Sequence, residues 1–273
     1  MKISATVEQV FAHAVALEQS GGLRNTIYAI GSRIYILNYD HTVLIRFRLR
    51  KSEAPFEHPV SFRANDYDSN EFYEEDGRIV FASQDSGYTR VKKCGTPDLQ
   101  PEQVKDLFKK LDEVDRADFV PLSLDKNVLN LLDRTLSHTE LIGDKGKSLK
   151  MVQRNVYSGT ILEVEKTKGT MGLLSENDVL SDDIEPIAIK TNDLAALFVF
   201  QDVLTFYLPK KGLGDYIIVE SVNKQKRDMS CIIACCIYDE IIAVKESYHG
   251  INNKDSTSIA KTAPAIVNTM HRK

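Results

Sequence analysis

The sequence predicts an α+β protein of two domains, in which each domain has two halves and each half is a strand, a helix and a meander of antiparallel strands. Three observations support this prediction. The hydrophobic spacing switches repeatedly between the period of a strand and the period of a helix, the order of these switches recurs four times, and 273 residues with 42% apolar side chains suffice for two cores. We expect helices on one face of antiparallel sheets.

The clearest copy of the pattern lies in residues 184–209, IEPIAIKTNDLAALFVFQDVLTFYLP. Residues 186–190 have the composition of a short strand, and Thr191 is a suitable N-cap for a helix that begins at Asn192. Residues 203–208 then alternate between apolar and polar side chains, as a half-buried strand does. This stretch therefore predicts a strand, a helix and a second strand in succession.

Three further copies precede it. In chain order, the predicted strand, helix and following strands are 2–4, 7–17, 26–30 and 33–37; 59–63, 66–75 and 78–82; and 119–122, 124–137 and 148–153. In the helix at 7–17, apolar residues recur at helical spacing, from Val7 through Phe11 to Leu17. A fixed order of elements that recurs in one chain indicates duplicated architecture.

Composition shifts set the predicted domain boundaries. We expect a first domain at 1–96, a connector at 97–116, a second domain at 117–246 and a tail at 247–273 that lacks a sustained hydrophobic period. Prolines punctuate the connector, and residues 101–111 form an amphipathic helix with its apolar side chains on one face. Residues 171–183 are a polar insertion between the halves of the second domain.

Composition also predicts where the protein resides. No stretch approaches the roughly 20 apolar residues of a membrane span, and no basic segment followed by an apolar core opens the sequence. Cys231, Cys235 and Cys236 lie in an apolar run that is typical of a buried strand, and four cysteines are too few for a disulfide framework. We expect a soluble, cytoplasmic protein, in the host cytoplasm if it is viral, without membrane partners.

Catalytic motifs are absent from the sequence. Residues 143–148, GDKGKS, end like a phosphate-binding loop, but Leu141 stands where that loop requires glycine and a strand is predicted to follow. The six histidines show neither the spacing of metal ligands nor that of a catalytic triad. We expect no catalytic residues, no cofactor and no metal.

The order of elements resembles the DNA sliding clamps, and most of all the trimeric processivity clamps of T-even-type bacteriophages, relatives of proliferating cell nuclear antigen. The opening MKIS followed by a helix, and PIAIKTNDL at 186–194 with its later strand, show this resemblance best. It covers residues 1–245 as a pattern of elements and includes no diagnostic motif. It implies the two-domain DNA-clamp fold.

The resemblance also implies a function and partners. Clamps are rings of subunits, here a homotrimer, that encircle double-stranded DNA without sequence specificity, lack catalysis, and bind a DNA polymerase and a clamp loader. A topological link of this kind acts as a processivity factor in DNA replication, because it holds the polymerase on DNA while allowing sliding. Transferred to this chain, the DNA-facing residues would be Lys126, Asn130, Arg134, His138, Lys190, Lys210 and Lys211; a solvated helix face is the alternative interpretation of those at 126–138.

Two further sites follow from the same resemblance. At the subunit interface, Arg90 and Lys92 on the last strand of the first domain would pair with Glu163 and Glu165 on a strand of the second domain of a neighbouring subunit. Beside the connector, an apolar pocket for partner peptides would be formed by Val104, Leu107, Phe108 and Leu111. Packing of these four side chains on the sheet is the alternative.

The first domain departs from the family pattern. Its charge is unfavourable for DNA binding, because the helix predicted at 66–75 carries five carboxylates. The chain as a whole also has a net charge of -4. A second hypothesis therefore stands beside the first. In it, the protein is a phage structural or protein-interaction component that has the clamp fold but does not encircle DNA.

Overall fold

The computed structural model describes residues 5–21, 25–38, 42–54, 56, 58–68, 71–75, 78–85, 87–94, 99–155, 157–165, 179–198, 203–213, 216–222 and 228–234. They form a mixed α+β protein with mostly antiparallel sheets and few helices. The chain divides into two compact units, Met1–Val114 with Glu220–Cys231, and Asp115–Val219 with Ile232–Arg272. None of the helices in the described part of the chain has the length and apolar character needed to cross a membrane.

Within the described residues, the first unit has two α-helices and seven strands that lie wholly within it. The helices are α1 Ala5–Gly21 and α2 Pro101–Asp112. The strands are β1 Asn25–Ile30, β2 Arg33–Asn38, β3 Val43–Arg48, β4 Val60–Arg63, β5 Phe72–Glu75, β6 Arg78–Asp85 and β7 Tyr88–Lys93. They are antiparallel neighbours in the orders β4-β1-β2-β3 and β5-β6-β7.

Aromatic packing joins α1 to the strands of the first unit. The Phe11 ring on α1 lies edge-on to the rings of Phe62 and Tyr67, with centroids 5.2 Å and 5.4 Å apart. Phe81 on β6 contacts the same two rings at 5.3 Å and 5.5 Å. Phe11, Phe62 and Phe81 are buried, so the face of β6 from which Phe81 projects is covered by an aromatic cluster that includes Phe11 of α1.

Helix α2 packs on the β1-β2-β3 part of the first sheet. Phe108 is 1% exposed, its ring centroid lies 5.3 Å from that of Tyr35, and the Arg46 guanidinium lies 4.6 Å above it. Arg46 also donates two hydrogen bonds to the Asp112 carboxylate, of 2.9 Å and 3.0 Å. These hydrogen bonds hold the pKa of Asp112 below its ordinary value, and the bidentate pair fixes the C-terminal end of α2.

Among its described residues, the second unit has one α-helix, α3 Thr191–Leu197. Its strands are β8 Phe119–Asp125, β9 His138–Ile142, β10 Lys150–Arg154, β11 Ile161–Glu165, β12 Ile187–Lys190 and β13 Val203–Pro209. The last two strands, β14 Tyr216–Val222 and β15 Asp228–Ala234, each have residues assigned to both units. The neighbour orders are β8-β13-β14-β15 and β11-β10-β9-β12.

The predicted recurrence is present in the order of elements. Three-strand meanders, β1-β2-β3, β5-β6-β7, β9-β10-β11 and β13-β14-β15, each follow a helical segment, and the last three segments each follow a single strand, β4, β8 or β12. The strand predicted at 2–4 lies outside the described residues. The helices predicted in the first and last copies and in the connector are confirmed as α1, α3 and α2.

Two predicted helices are wrong. Residues 66–75 form the end of a 3-10 turn, Ala64–Asp66, and strand β5, because Phe72 is buried while Tyr73, Glu74 and Glu75 are exposed, which leaves no apolar stripe for a helix to bury. Residues 124–137 form the end of β8, a 3-10 turn at Lys126–Asn130, and a loop. Asp125 caps the start of the 3-10 turn and Asp133 starts a separate turn, since each accepts a hydrogen bond from the backbone amide two residues ahead.

Candidate subunit and DNA interfaces

Strand β7 lies at the edge of its sheet among the strands that the structure describes. Its side chains are mostly exposed, including two large apolar ones, Tyr88 at 81% and Val91 at 55%. An edge strand presents unpaired backbone amides and carbonyls along one side. Because its apolar side chains are also exposed, β7 has the features of a strand that pairs with another chain.

Strand β11 occupies the edge of the β11-β10-β9-β12 sheet within the same described set. Its first residue, Ile161, is 53% exposed, and Tyr157 in the preceding turn is 83% exposed. Acidic residues Glu163 and Glu165 alternate with Leu162 and Val164 along it. The strands predicted to meet between subunits are thus edge strands in the described part of the chain, one basic and one acidic.

Exposed apolar side chains concentrate near these two strands. Eight large apolar side chains are exposed among the described residues, and five of them lie on or beside these two strands. Tyr88 and Val91 lie on β7, Ile161 lies on β11, Tyr157 lies in the turn before β11, and Leu131 lines a cleft beside β11. Scattered exposed apolar residues need no explanation, whereas concentrated ones mark interaction surfaces.

The four charged residues predicted at the subunit interface have partners within the chain. Arg90 lies 3.4 Å from Asp68, and Lys92 lies 3.3 Å from Asp66. Glu163 pairs with Lys150 at 3.2 Å, and Glu165 accepts a 2.6 Å hydrogen bond from Ser148. These contacts are on partly exposed surfaces, where ion pairs contribute little and exchange readily. Their pairing between subunits stays a prediction.

The faces of the two strands limit how these charges can meet. On β7, Lys92 is opposite Phe81 and Arg90 is opposite Ser83, so both project on the face that carries Phe81 and is covered by the aromatic cluster. On β11, Leu162 and Val164 are opposite Gln153 and Met151 on the buried face, and Glu163 and Glu165 project on the other face. A continuous sheet with its covered faces on one side therefore places Thr89, Val91 and Lys93 beside the glutamates.

The structure brings together some of the predicted DNA-facing residues. Lys126 and Asn130 lie on the 3-10 turn, and Arg134 lies in the loop after it; all three are exposed. His138 at the start of β9 is opposite Lys190 at the end of β12. Buried Gln153 fastens this region, because it accepts a hydrogen bond from the Asp133 amide and donates to the Asp133 carbonyl and the Thr139 hydroxyl.

Lys210 and Lys211 lie elsewhere in the second unit. Lys210 forms a β-bridge with Ile184, six residues before Lys190, which for extended chain is a separation of about 20 Å. Lys210 also pairs with Asp182 at 3.2 Å. The seven predicted residues therefore form two groups, of which the group at 126–138 with Lys190 has the larger concentration of exposed cations.

His138 contributes no positive charge to this surface at neutral pH. Burial lowers its pKa from the ordinary value, and the nearby Lys190 ammonium lowers it further. The Ser137 hydroxyl lies 2.7 Å from His138 Nδ1 and can hydrogen-bond with a neutral ring. Lys126, Arg134 and Lys190 therefore carry the positive charge of this group.

The acidic residues of the first unit are less unfavourable for DNA binding than the sequence indicated. Asp66 and Asp68 pair with the β7 cations described above, and Glu75 lies 3.1 Å from Lys93. These three carboxylates are therefore neutralised locally. Helix α1, however, has no lysine or arginine, so a surface that α1 presents to DNA offers no ion pairs to phosphate.

The predicted peptide pocket is occupied by the protein's own packing where the structure describes it. Val104, Leu107 and Phe108 are at most 5% exposed on α2, while the side chain of Leu111 lies outside the described set. Packing on the sheet, the alternative given by the sequence, accounts for these three side chains. A partner pocket beside the connector stays a prediction and requires other residues for its accessible walls.

Neither the comparison with protein-family models nor the comparison with curated proteins found a match for this chain.

Proposed function

We propose that the protein is a DNA sliding clamp, a homotrimeric ring around duplex DNA that tethers a polymerase and is placed on DNA by a loader. The observation that carries this proposal is the pair of complementary edge strands, β7 and β11, one in each unit. A heterologous contact between two different patches generates either a closed ring or an open filament. Closure removes exposed sheet edges, which are otherwise prone to aggregation.

The recurrence of elements supports the clamp fold in particular. A clamp domain consists of two halves, each with a strand, a helix and a meander, and three of the four copies here have a strand, a helical segment or turn, and a meander within the described residues. In two copies the helix is reduced to a 3-10 turn. The proposed ring therefore has fewer helices facing its hole than the clamps that the sequence resembles.

The charge distribution supports weak, non-specific DNA binding by the second unit. Lys126 lies on the 3-10 turn, Arg134 lies in the loop between this turn and β9, and Lys190 on β12 is opposite His138 at the start of β9. Phosphate contacts of this kind position a protein on DNA without selecting a sequence. A ring needs only such contacts, because topology and not affinity retains it.

The competing function is a clamp-fold interaction protein that does not encircle DNA. The absence of cations from α1 and the net charge of -4 favour it. Such a protein could have the same subunit interface as a sliding clamp, and it would differ in that no DNA passes through the assembly. A topological test therefore separates the two functions.

We expect the protein to stay on circular DNA and to leave linear DNA. The full chain is incubated at high concentration with nicked circular duplex immobilised on beads, washed in 0.5 M salt, and measured before and after one restriction cut. Electrostatic binding falls steeply with salt, so protein that survives the wash and is released by the cut is topologically linked. Retention that the cut does not change would contradict encirclement, and no retention would favour the interaction protein.

The double substitution Lys126→Ala with Arg134→Ala tests the DNA-facing group. If each side chain contacts one phosphate, the slope of log affinity against log salt for short linear duplex decreases by about 2. The matched control is Lys105→Ala with Lys109→Ala, two exposed cations on α2, for which we expect an unchanged slope. Equal slopes for wild type and the first variant would remove these residues from the DNA surface.

A further inference from the structure

An apolar cleft opens in the second unit between β8, the 3-10 turn and the edge of the β11-β10-β9-β12 sheet. Its volume is about 400 Å³. The apolar side chains that line it are Leu122, Leu124, Val128, Leu131, Met151 and Val164. Leu131 is 60% exposed, which is unusual for a leucine beside a buried core.

The cleft follows from the local sequence. A helix over 124–137 would have about four turns, but the 3-10 segment that Asp125 caps ends at Asn130 and Asp133 starts a separate turn. Val128 and Leu131, which would lie on the apolar side of such a helix, are therefore only partly covered. An apolar surface of this kind is favourable to bury against a partner.

The position of the cleft identifies the partner surface. Val164 and Glu165 of the edge strand β11 form one wall of it. A strand added to β11 from a neighbouring copy therefore extends directly over the mouth of the cleft. Strand alternation then decides which of its side chains point inward.

On β7 the side chains that project on the covered face are Tyr88, Arg90 and Lys92. Tyr88 is the most exposed of them, at 81%, and a tyrosine brings a large apolar ring with a polar end. The cleft is apolar with the Asp125 carboxylate in its lining, which is complementary in charge to Arg90 and Lys92.

We propose that the cleft receives β7 of a second copy of this chain, with Tyr88 inserted against Leu131 and Val164 and with Arg90 and Lys92 beside Asp125. This inference rests on the proposed ring and names the contact that closes it. It assigns the basic side chains of β7 to the cleft instead of to Glu163 and Glu165, whose side chains project on the opposite face of β11.

Site-specific cross-linking tests the contact in the full chain. Leu131 is replaced by the photoreactive residue benzoylphenylalanine, and labelled and unlabelled protein are mixed before irradiation so that mass spectrometry distinguishes links between chains. We expect links from position 131 to the tryptic peptide 79–90, which contains Tyr88. Native mass is recorded on the same sample.

The outcomes separate this inference from the proposed function. An oligomer with links between chains to peptide 79–90 supports both, an oligomer with links only to other peptides overturns the cleft contact alone, and a monomeric mass overturns both. A link from position 131 to an added polymerase peptide, without links between copies, also overturns it.

Alanine substitution gives an independent measurement. We expect Tyr88→Ala to raise the dissociation constant of the assembly by about tenfold or more, since a buried interfacial tyrosine is a typical hot spot. The control is Tyr73→Ala, a 45% exposed tyrosine on the opposite face of the same sheet. Equal effects of the two substitutions would overturn the inference.

Discussion

Replacing Glu163 and Glu165 by lysine should convert the assembly into monomers. Opposed charges across paired strands contribute roughly 0.2–1 kcal/mol per pair, and like charges cost similar amounts. Two reversals at one interface therefore weaken it by about 0.8–4 kcal/mol, a roughly 4-fold to several-hundred-fold rise in dissociation constant. A closed ring contains this interface in every subunit contact, so the loss is repeated around the ring.

Sedimentation equilibrium over a range of protein concentrations measures this effect. The matched control is Glu102→Lys with Glu113→Lys, which changes the net charge equally at two exposed glutamates outside both edge strands. Thermal unfolding of each variant shows whether it is folded, because Glu163 and Glu165 also contact Lys150 and Ser148 within the chain. An unchanged oligomer would exclude β11 from the interface.

A second reversal identifies the basic partner of the glutamates. Adding Lys93→Glu to the double lysine variant restores assembly if Lys93 faces them, as a continuous sheet with its covered faces on one side requires. Adding Arg90→Glu with Lys92→Glu restores it if the pairing predicted from the sequence is right. The two combinations change different faces of β7, so rescue by one of them determines the geometry.

Replacing Phe108 by alanine should lower the free energy of unfolding by about 3–5 kcal/mol, as removal of a buried phenylalanine typically does. The ring is 1% exposed, lies against Tyr35 and supports the Arg46 guanidinium. Arg46 is itself only 3% exposed and depends on Asp112 for its charge partner. Loss of the ring therefore weakens both the apolar packing and the position of the bidentate pair.

Urea unfolding of the variant measures the change, with Lys109→Ala on the exposed face of α2 as the control, for which we expect a change within about 0.5 kcal/mol. If Phe108 instead lined a partner pocket, its truncation would leave stability nearly unchanged and reduce peptide binding. That result would contradict the packing of α2 on the sheet.

The sequence predicted the parts of the fold that have a strong hydrophobic period. Helix α1, with Val7, Phe11 and Ala14 buried on one face, and α2, with Val104, Leu107 and Phe108, were both predicted from apolar spacing. The alternation in 203–208 likewise predicted β13. In each of these elements local spacing and tertiary burial agree, so one signal suffices.

The predictions that were wrong depend on signals that spacing does not contain. At 124–137 the apolar residues have helical spacing, but the 3-10 segment that Asp125 caps ends at Asn130, and the Asp133 carboxylate starts a separate turn. His138 was assigned to that helix and instead begins β9, because β12 and β10 pair with the strand on both sides. The turn propensity of aspartate was the available signal.

For the candidate subunit interface, the sequence predicted which two strands are involved but not which of their side chains face each other. The basic and acidic strands could be recognised from composition, and both are edges in the described set. The face that each charge occupies depends on the register between β6 and β7 and between β10 and β11, which a sequence does not specify. The cleft beside β11 exists because a predicted helix is absent, and for that reason composition did not indicate it.

Electron microscopy of the isolated full-length protein tests the central claim most directly, since one chain has a mass of 30.8 kDa and three chains make a particle large enough to image. The proposal that β7 of each subunit pairs with β11 of the next predicts a hollow ring with threefold symmetry. Single-chain particles at micromolar concentration, or an assembly without a central hole, would contradict it.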